Sequence, residues 1–309
     1  MVLGTYGRRA LAALMGFWLC GGGAAHAAPG GPGVADPDTP FGTVRVMPLG
    51  DSIVRGTGAP GFDSFRTVLR DHLIRDGMQV DFVGSQHDGT GADRDHEGHG
   101  GYDLGELAFD VDGWLTAYQP DVIVLEAGTN NVTQGDDPGV MMGDLGTLID
   151  RIRAVRPAAY VFLAAIAISR VPAEAETGRI YNALLPGFVA QRQDPLLTLV
   201  DQSSVAGIDL HDTHHPNAFG YEKMAWNWYR SMAGVFALPG LSGPDPYLKT
   251  ETYRCIIEHG TSTKCRTWVL RDQPDGSREW QTLLKRKASI DGVSQTVEFW
   301  VGAAELLGT

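Results

Sequence analysis

The chain has 309 residues, 43% of them hydrophobic and 20% charged, which excludes an intrinsically disordered chain and suffices for a full buried core. Its net charge of -12 excludes nucleic acid or an anionic membrane as the main partner, because both require a basic face. All 5 lysines lie at or beyond Lys223, and residues 245–309 carry 9 basic and 9 acidic side chains. The negative charge therefore belongs to the chain before that tail, and the change in usage points to a boundary.

Arg8 and Arg9 precede an apolar run from Ala10 to Cys20, which is too short to span a bilayer. Ala25-His26-Ala27 then offers a small-x-small cleavage site, so residues 1–27 read as a signal peptide and the mature chain is expected outside the cell, with no membrane contact after cleavage. Loss of Arg8 and Arg9 takes the charge from -12 to -14. Cleavage also removes Cys20 and leaves Cys255 and Cys265, an even pair expected to form a disulfide in an oxidising compartment. Residues 28–40, rich in Pro, Gly and Asp, read as a flexible lead.

From about residue 41 to 238, short apolar runs alternate with amphipathic stretches. Strands are expected at Val44–Leu49, Val80–Val83, Val122–Leu125, Tyr160–Ile168 and Leu197–Val200. Helices are expected at Phe65–Asp76, Leu104–Tyr118, Val140–Val155, Thr177–Gln191 and Phe219–Phe236. Strands separated by helices imply right-handed crossovers and a parallel sheet covered on both faces, here an α/β flavodoxin-like three-layer sandwich with a five-stranded sheet. Residues 239–246 read as a linker. Beyond it, Tyr253–Ile257, Thr267–Leu270, Trp280–Leu284 and Thr296–Val301 read as strands of a small β module spanning 247–309. Its Trp268, Trp280 and Trp300 are expected to fill that module's core, with stacking on sugar rings as the alternative.

In such sheets ligands sit beyond the carboxyl ends of the strands. Gly50-Asp51-Ser52 follows the first strand, Gly128-Thr129-Asn130-Asn131 the third, and Asp212-Thr213-His214-His215-Pro216 the fifth. A serine hydroxyl needs a base within hydrogen-bond reach, a histidine is that base near neutral pH, and a carboxylate can fix its tautomer. Each piece alone has a plainer reading as a turn, a helix cap or a loop. Asp212 with His211, His214 and His215 also has the ligand types of a metal site, though no spaced further ligand accompanies them. Asp95-His96-Glu97-Gly98-His99 is not a His-Glu-x-x-His helix motif. No metal and no cofactor is expected.

The Gly-Asp-Ser, Gly-x-Asn and Asp-x-x-His blocks together resemble the SGNH (GDSL-type) hydrolases. Met47-Pro48-Leu49-Gly50-Asp51-Ser52, Phe65-Arg66-Thr67, Phe82-Val83-Gly84-Ser85-Gln86 and Asp95-His96-Glu97-Gly98-His99-Gly100-Gly101-Tyr102 are similar to the acetyl xylan esterases of carbohydrate esterase family 3. The resemblance covers about Val44 to Phe236. It implies Ser52 as nucleophile, His215 as general base and Asp212 as its orienting acid. The oxyanion hole would be formed by the backbone of Ser52 and Gly101 and the side chain of Asn130. His214 adjoins His215 and is the alternative base. Asn131 stands where the family often has Asp. A structural calcium would be permitted by the resemblance, and Asp136 and Asp137 are loosely suggestive of one.

The expected function is a secreted, monomeric serine esterase that removes acetyl groups from polysaccharide. The rivals are a secreted lysophospholipase or lipase on the same scaffold, and a sugar-binding protein with vestigial catalysis. Tyr102, Trp114, Trp226 and Trp228 are aromatic candidates near the site, and at least one of Trp226 and Trp228 should be core.

Overall fold

A computed structural model describes residues 42–240, 245–247, 251–258, 262–273, 278–290 and 293–307. The expected signal peptide and flexible lead, and residues 241–244 of the expected linker, lie outside the described residues.

The first part of the chain forms β1 (Val44–Gly50), α1 (Ser52–Arg55), α2 (Phe65–Arg75), β2 (Val80–Phe82), β3 (Gln86–His87), β4 (Asp95–Gly98), α3 (Leu104–Tyr118), β5 (Val122–Glu126), α4 (Thr129–Gln134), α5 (Pro138–Val155), β6 (Tyr160–Ala165), α6 (Pro172–Arg192), β7 (Leu197–Asp201) and α7 (Ala218–Val235). The five expected strands are present and pair in parallel in the order β2-β1-β5-β6-β7. Every residue of β5 is buried, as a strand covered on both faces must be. Val122 and Val124 face the side covered by α2 and α7, with Leu69, Leu73, Trp228 and Met232. Ile123 and Leu125 face α3 and α5, with Leu107, Val111 and Leu148.

Two strands extend the expected sheet. β2 covers only Val44 to Val46 of β1. The rest of that edge is taken by β4, which pairs in parallel through Leu49↔Glu97 and Gly50↔Gly98, and β3 pairs antiparallel with β4. The polar string Asp95-His96-Glu97-Gly98 has no apolar alternation, so its strand character comes from an open backbone edge rather than from side-chain pattern. α6 begins at Pro172, earlier than the expected Thr177, because proline at the first helical position leaves no N–H to satisfy. Trp226 and Trp228 are both core residues.

The tail forms β8 (Glu251–Glu258), β9 (Ser262–Asp272), β10 (Arg278–Ile290) and β11 (Val293–Gly302), then α8 (Ala303–Leu307). These strands make a separate antiparallel sheet in the order β11-β10-β9-β8. Cys255 and Cys265 are cross-strand partners joined by a disulfide. Trp268 is fully buried with Ile256, Val301, Leu306, Leu307 and Ile208, the last from the loop after β7. Trp280 packs against this cluster from a half-buried position. Trp300 is 40% exposed under the guanidinium of Arg271, so the core reading holds for Trp268 but not for Trp300. Four strands with one short helix can cover only one face, and Trp300 lies on the other.

Candidate active site

Three loops converge at the carboxyl edge of the parallel sheet. The first is the turn from β1 into α1. Gly50 adopts φ 155°, and a side chain there would collide with the Glu126 carbonyl on β5. Glycine is required because the two backbones approach without room for a Cβ. Asp51 caps α1 through Oδ1, which accepts the Ile53 N–H at 2.8 Å. Ser52 is the first helical residue, so its N–H is among the donors a helix start leaves unpaired. Its Oγ lies 2.8 Å from Nε2 of His215.

The second is the loop between β7 and α7. Nδ1 of His215 is 2.8 Å from Oδ2 of Asp212. Oδ1 of Asp212 accepts the backbone N–H groups of His215 at 2.8 Å and His214 at 3.0 Å. Burial alone would raise the Asp212 carboxyl, but the His215 ring and these two N–H groups outweigh it and hold the group well below the usual carboxylate range. Asp212 is therefore an anion throughout the neutral range. The loop is closed by the His211 N–H donating to the His215 carbonyl at 2.7 Å and by a Leu210↔Pro216 bridge. The Arg170 N–H donates to the Thr213 carbonyl at 2.7 Å, and its guanidinium donates to the Asp212 carbonyl. His215 reaches Ser52. His214 turns to Thr213, whose Oγ1 is 2.9 Å from its Nδ1, and burial followed by the neighbouring His215 pushes its imidazole down.

The third is the turn His99-Gly100-Gly101-Tyr102, closed by the Tyr102 N–H donating to the His99 carbonyl. Gly101 has φ 90°, which the third position of such a turn demands. The turn borders the serine: a Cβ on Gly100 would stand 3.9 Å from Cβ of Ser52. The His99 N–H donates to the Gly50 carbonyl at 2.8 Å and fixes the turn to the end of β1. Asn130, in α4, donates from Nδ2 to the Tyr102 carbonyl at 2.7 Å, which orients its amide toward the same turn. Ser52, Gly101 and Asn130 thus share one side of the site.

Asn131 is buried and takes over a structural task. Its Oδ1 accepts the Leu104 N–H at the start of α3, and its Nδ2 donates to Asp136 at 2.8 Å. Asp137 caps α5 by accepting the Gly139 N–H. Among the described residues, Asp212, His214 and His215 are grouped closely enough to hold a metal ion, whereas His211 is not part of that group. Two members of that group already bond each other, and one of them also bonds Ser52. As sequence patterns, Asp136 with Asp137 and Asp95-His96-Glu97 do not assemble into such a cluster among the described residues.

Sequence reasoning missed the supports beneath these loops. Arg66 is 2% exposed and donates to the Ser64 hydroxyl and to the carbonyls of Arg94, Arg55, Phe62 and Asp88, at 2.8 to 3.3 Å. It ties α1 to the chain between β3 and β4, and burial pushes its guanidinium down to about 10. Glu97 is fully buried and accepts from the Ser85 N–H and hydroxyl and from Nε2 of His99. The His99 ring stacks on Trp114 at 4.5 Å and on Tyr102 at 4.8 Å. The signal in the sequence was the family resemblance carried by Phe65-Arg66-Thr67, Phe82-Val83-Gly84-Ser85-Gln86 and the string from Asp95 to Tyr102, which gave these residues no role.

The comparisons with known proteins show the family and the fold. Residues 49–223 match the GDSL-like Lipase/Acylhydrolase family model. A family 3 carbohydrate esterase from Clostridium thermocellum is 32% identical, with a TM-score of 0.57 over 63% of this chain and 98% of that one. An acetyl esterase structure containing an acetate ion is 26% identical, with a TM-score of 0.56 over 63% of this chain and 99% of that one. A multidomain esterase of Ruminococcus flavefaciens is 30% identical over 249 residues, 68% of this chain but only 31% of that protein, so the chain spans about a third of that curated relative. On sequence and fold alike, the chain belongs to the GDSL-like lipase/acylhydrolase family of carboxylic ester hydrolases, and its solved relatives include family 3 carbohydrate esterases.

Proposed function

We propose that the chain is a secreted serine esterase that removes acetyl groups from polysaccharide through Ser52, His215 and Asp212. The single observation that carries this reading is the unbroken chain of two 2.8 Å contacts from Ser52 Oγ through the His215 ring to the ionised Asp212. His215 Nε2 takes the Ser52 proton as Oγ attacks the ester carbonyl, and Asp212 steadies the imidazolium that forms. The developing oxyanion is met by the N–H groups of Ser52 and Gly101 and by Asn130 Nδ2. Asn130 keeps its second amide hydrogen for this, since the first is held by Tyr102. The alcohol leaves with the proton from His215, and water repeats the path to release the acid.

A polysaccharide substrate is supported by the carbohydrate esterase relatives and by the strongly acidic mature chain, which suits a neutral glycan better than an anionic lipid surface. Secretion is supported by the residue pattern of 1–27 and by the paired cysteines of the tail. The organisation read from the sequence, a hydrolase domain at 41–238 and a β module at 247–309, is part of the proposal. No helix among the described residues is long and apolar enough to cross a membrane.

The test is acetate release from acetylated xylan compared with hydrolysis of a decanoyl ester, for wild type and Ser52→Ala. The reading expects acetyl turnover well above decanoyl turnover, and its loss in the variant. Faster decanoyl hydrolysis would favour the lipase reading. One observation favours an added binding role for the tail, the exposed Trp300 opposite exposed Leu283 on the uncovered face. Affinity electrophoresis of the whole chain on xylan, with and without Trp300→Ala, tests it, and equal mobility of both would remove it.

A further inference from the structure

Directly behind Ser52 the fold buries two carboxyl groups that the acyl-transfer steps leave unused. Asp51 and Glu126 are both 0% exposed. Gly50 and Glu126 are register partners on β1 and β5, so Asp51 and Glu126 emerge from adjoining strand ends. By alternation Glu126 shares the sheet face of Val122 and Val124, which α2 and α7 cover. Oδ1 of Asp51 is occupied by the Ile53 N–H. Oδ2 of Asp51 and both oxygens of Glu126 have no hydrogen-bond partner. Buried polar atoms are almost always paired, so three orphaned carboxyl oxygens at adjoining positions require an explanation.

The groups around the pair narrow it. The charge acting on Glu126 is that of Asp51, and the titratable side chain acting on Asp51 is His215. Two phenols sense Glu126, Tyr181 on α6 and Tyr221 on α7. Tyr221 gives its hydroxyl to the Thr57 carbonyl at 2.7 Å, while the Tyr181 hydroxyl is itself unpaired. Arg66 acts on Tyr221 and is held by carbonyls at the start of the next loop. Among the described residues, no arginine or lysine acts on either carboxyl. Two carboxylates cannot both ionise in such a place. Burial, then the charge of Asp51, raises Glu126 well above its ordinary range; burial also raises Asp51, to about 7, against the pull of the Ile53 N–H and His215, so Asp51 is the member of the pair that gives up its proton first.

We propose that Glu126 is a positioning residue for Ser52: it stays protonated and donates its carboxyl hydrogen to Oδ2 of Asp51, which fixes the turn that carries the serine. The arrangement satisfies the orphaned Oδ2 of Asp51 and leaves the buried pair with one negative charge, not two. No proton is transferred during turnover. Loss of the Glu126 proton at high pH turns the hydrogen bond into a repulsion and loosens the turn. The kinetic consequences rest on the serine-esterase reading above, whereas the protonation state does not.

The experiment uses the whole chain with p-nitrophenyl acetate. Glu126→Leu removes the donor, and Glu126→Gln keeps one that cannot ionise. Glu126→Leu is expected to lower kcat by about tenfold, the scale of a lost hydrogen bond to a charged group, with KM nearly unchanged. Glu126→Gln is expected to recover most of that loss and to abolish the fall in kcat/KM at alkaline pH. Infrared difference spectra at neutral pH should show a protonated-carboxyl C=O band in wild type that Glu126→Gln lacks. A Glu126→Leu variant matching wild type in kcat and pH profile would overturn the proposal, and so would a band that survives Glu126→Gln. If Glu126→Leu does not fold, the band and the alkaline limb of Glu126→Gln decide. A chain inactive on every ester but showing the band would sink the esterase reading and leave the proton on Glu126. An active chain without the band would do the reverse.

Discussion

The parallel sheet and the antiparallel tail sheet meet the same burial requirement in opposite ways. The parallel sheet is covered on both faces, so the residues proposed to react stand on loops and short helices at its edge. Ser52, Asn130, Asp212 and His215 come from loops or short helices at one edge, 78 or more positions apart at the first step, and only the sheet brings them together. The tail sheet buries one face around Trp268 and leaves Tyr253, Ile257, Leu283 and Trp300 exposed on the other. A covered sheet concentrates function at its edge, whereas a half-covered sheet offers a surface.

That contrast can be broken or sharpened by substitution. The largest effect is expected from Ser52→Ala, which should lower p-nitrophenyl acetate turnover by about 10⁴-fold or more while leaving the melting of both sheets unchanged. Residual activity near wild type would remove Ser52 as the nucleophile. Next comes Arg66→Leu, which strands the carbonyls of Arg55, Asp88 and Arg94 inside the fold and should cost about 3–5 kcal/mol in urea unfolding. A loss below about 1 kcal/mol would mean that those carbonyls find other donors.

Trp268→Ala should cost about 3 kcal/mol or more of the tail sheet's own stability, yet leave ester turnover within about twofold of wild type. A parallel collapse of turnover would show the two sheets to be one cooperative unit, joined through Ile208. Removing both Cys255 and Cys265 should destabilise the same sheet by about 2–3 kcal/mol at most, because the closed loop is short and the strands are already paired.

The smallest effect is a pH slope confined to the parallel sheet. His96 is buried, and burial, then Arg66, pushes its imidazole down to about 2. The unfolded chain therefore binds a proton there below about pH 6.5 that the folded chain refuses, so stability is lost as pH falls, by up to about 1.4 kcal/mol per unit. Urea midpoints at pH 7 and pH 5 for wild type and His96→Asn measure it. An unchanged slope in the variant would assign acid lability elsewhere.

Much of this was legible in the sequence. β5 announces itself because a run of Val, Ile, Val and Leu can only be a doubly covered strand. The Asp-x-x-His spacing fixes its own geometry, since three residues bridge one turn and bring the Asp212 carboxylate to both the ring and the N–H of His215. The same spacing favours His215 over His214, and the fold adds that Nε2 of His215 lies 2.8 Å from Ser52 Oγ, whereas the neighbouring His214 ring, 4.4 Å away, turns to Thr213. β4 was not legible, because its pairing answers an unfilled edge of β1 rather than any property of Asp95-His96-Glu97-Gly98. The extra turn of α6 was visible in principle, at Pro172.

The sequence by itself determined the alternation of elements, the three loops that carry polar residues at strand ends, and the break in texture before the tail. These are local properties, set by hydrophobic period and turn chemistry over a few residues. Only the tertiary structure decided which polar groups are partnered. The burial of Asp51 and Glu126, the Arg66 hub, the seat of His99 on Trp114 and the exposure of Trp300 all depend on distances between residues far apart in the chain. Desolvation and hydrogen bonding act through space, and no period in the sequence encodes them.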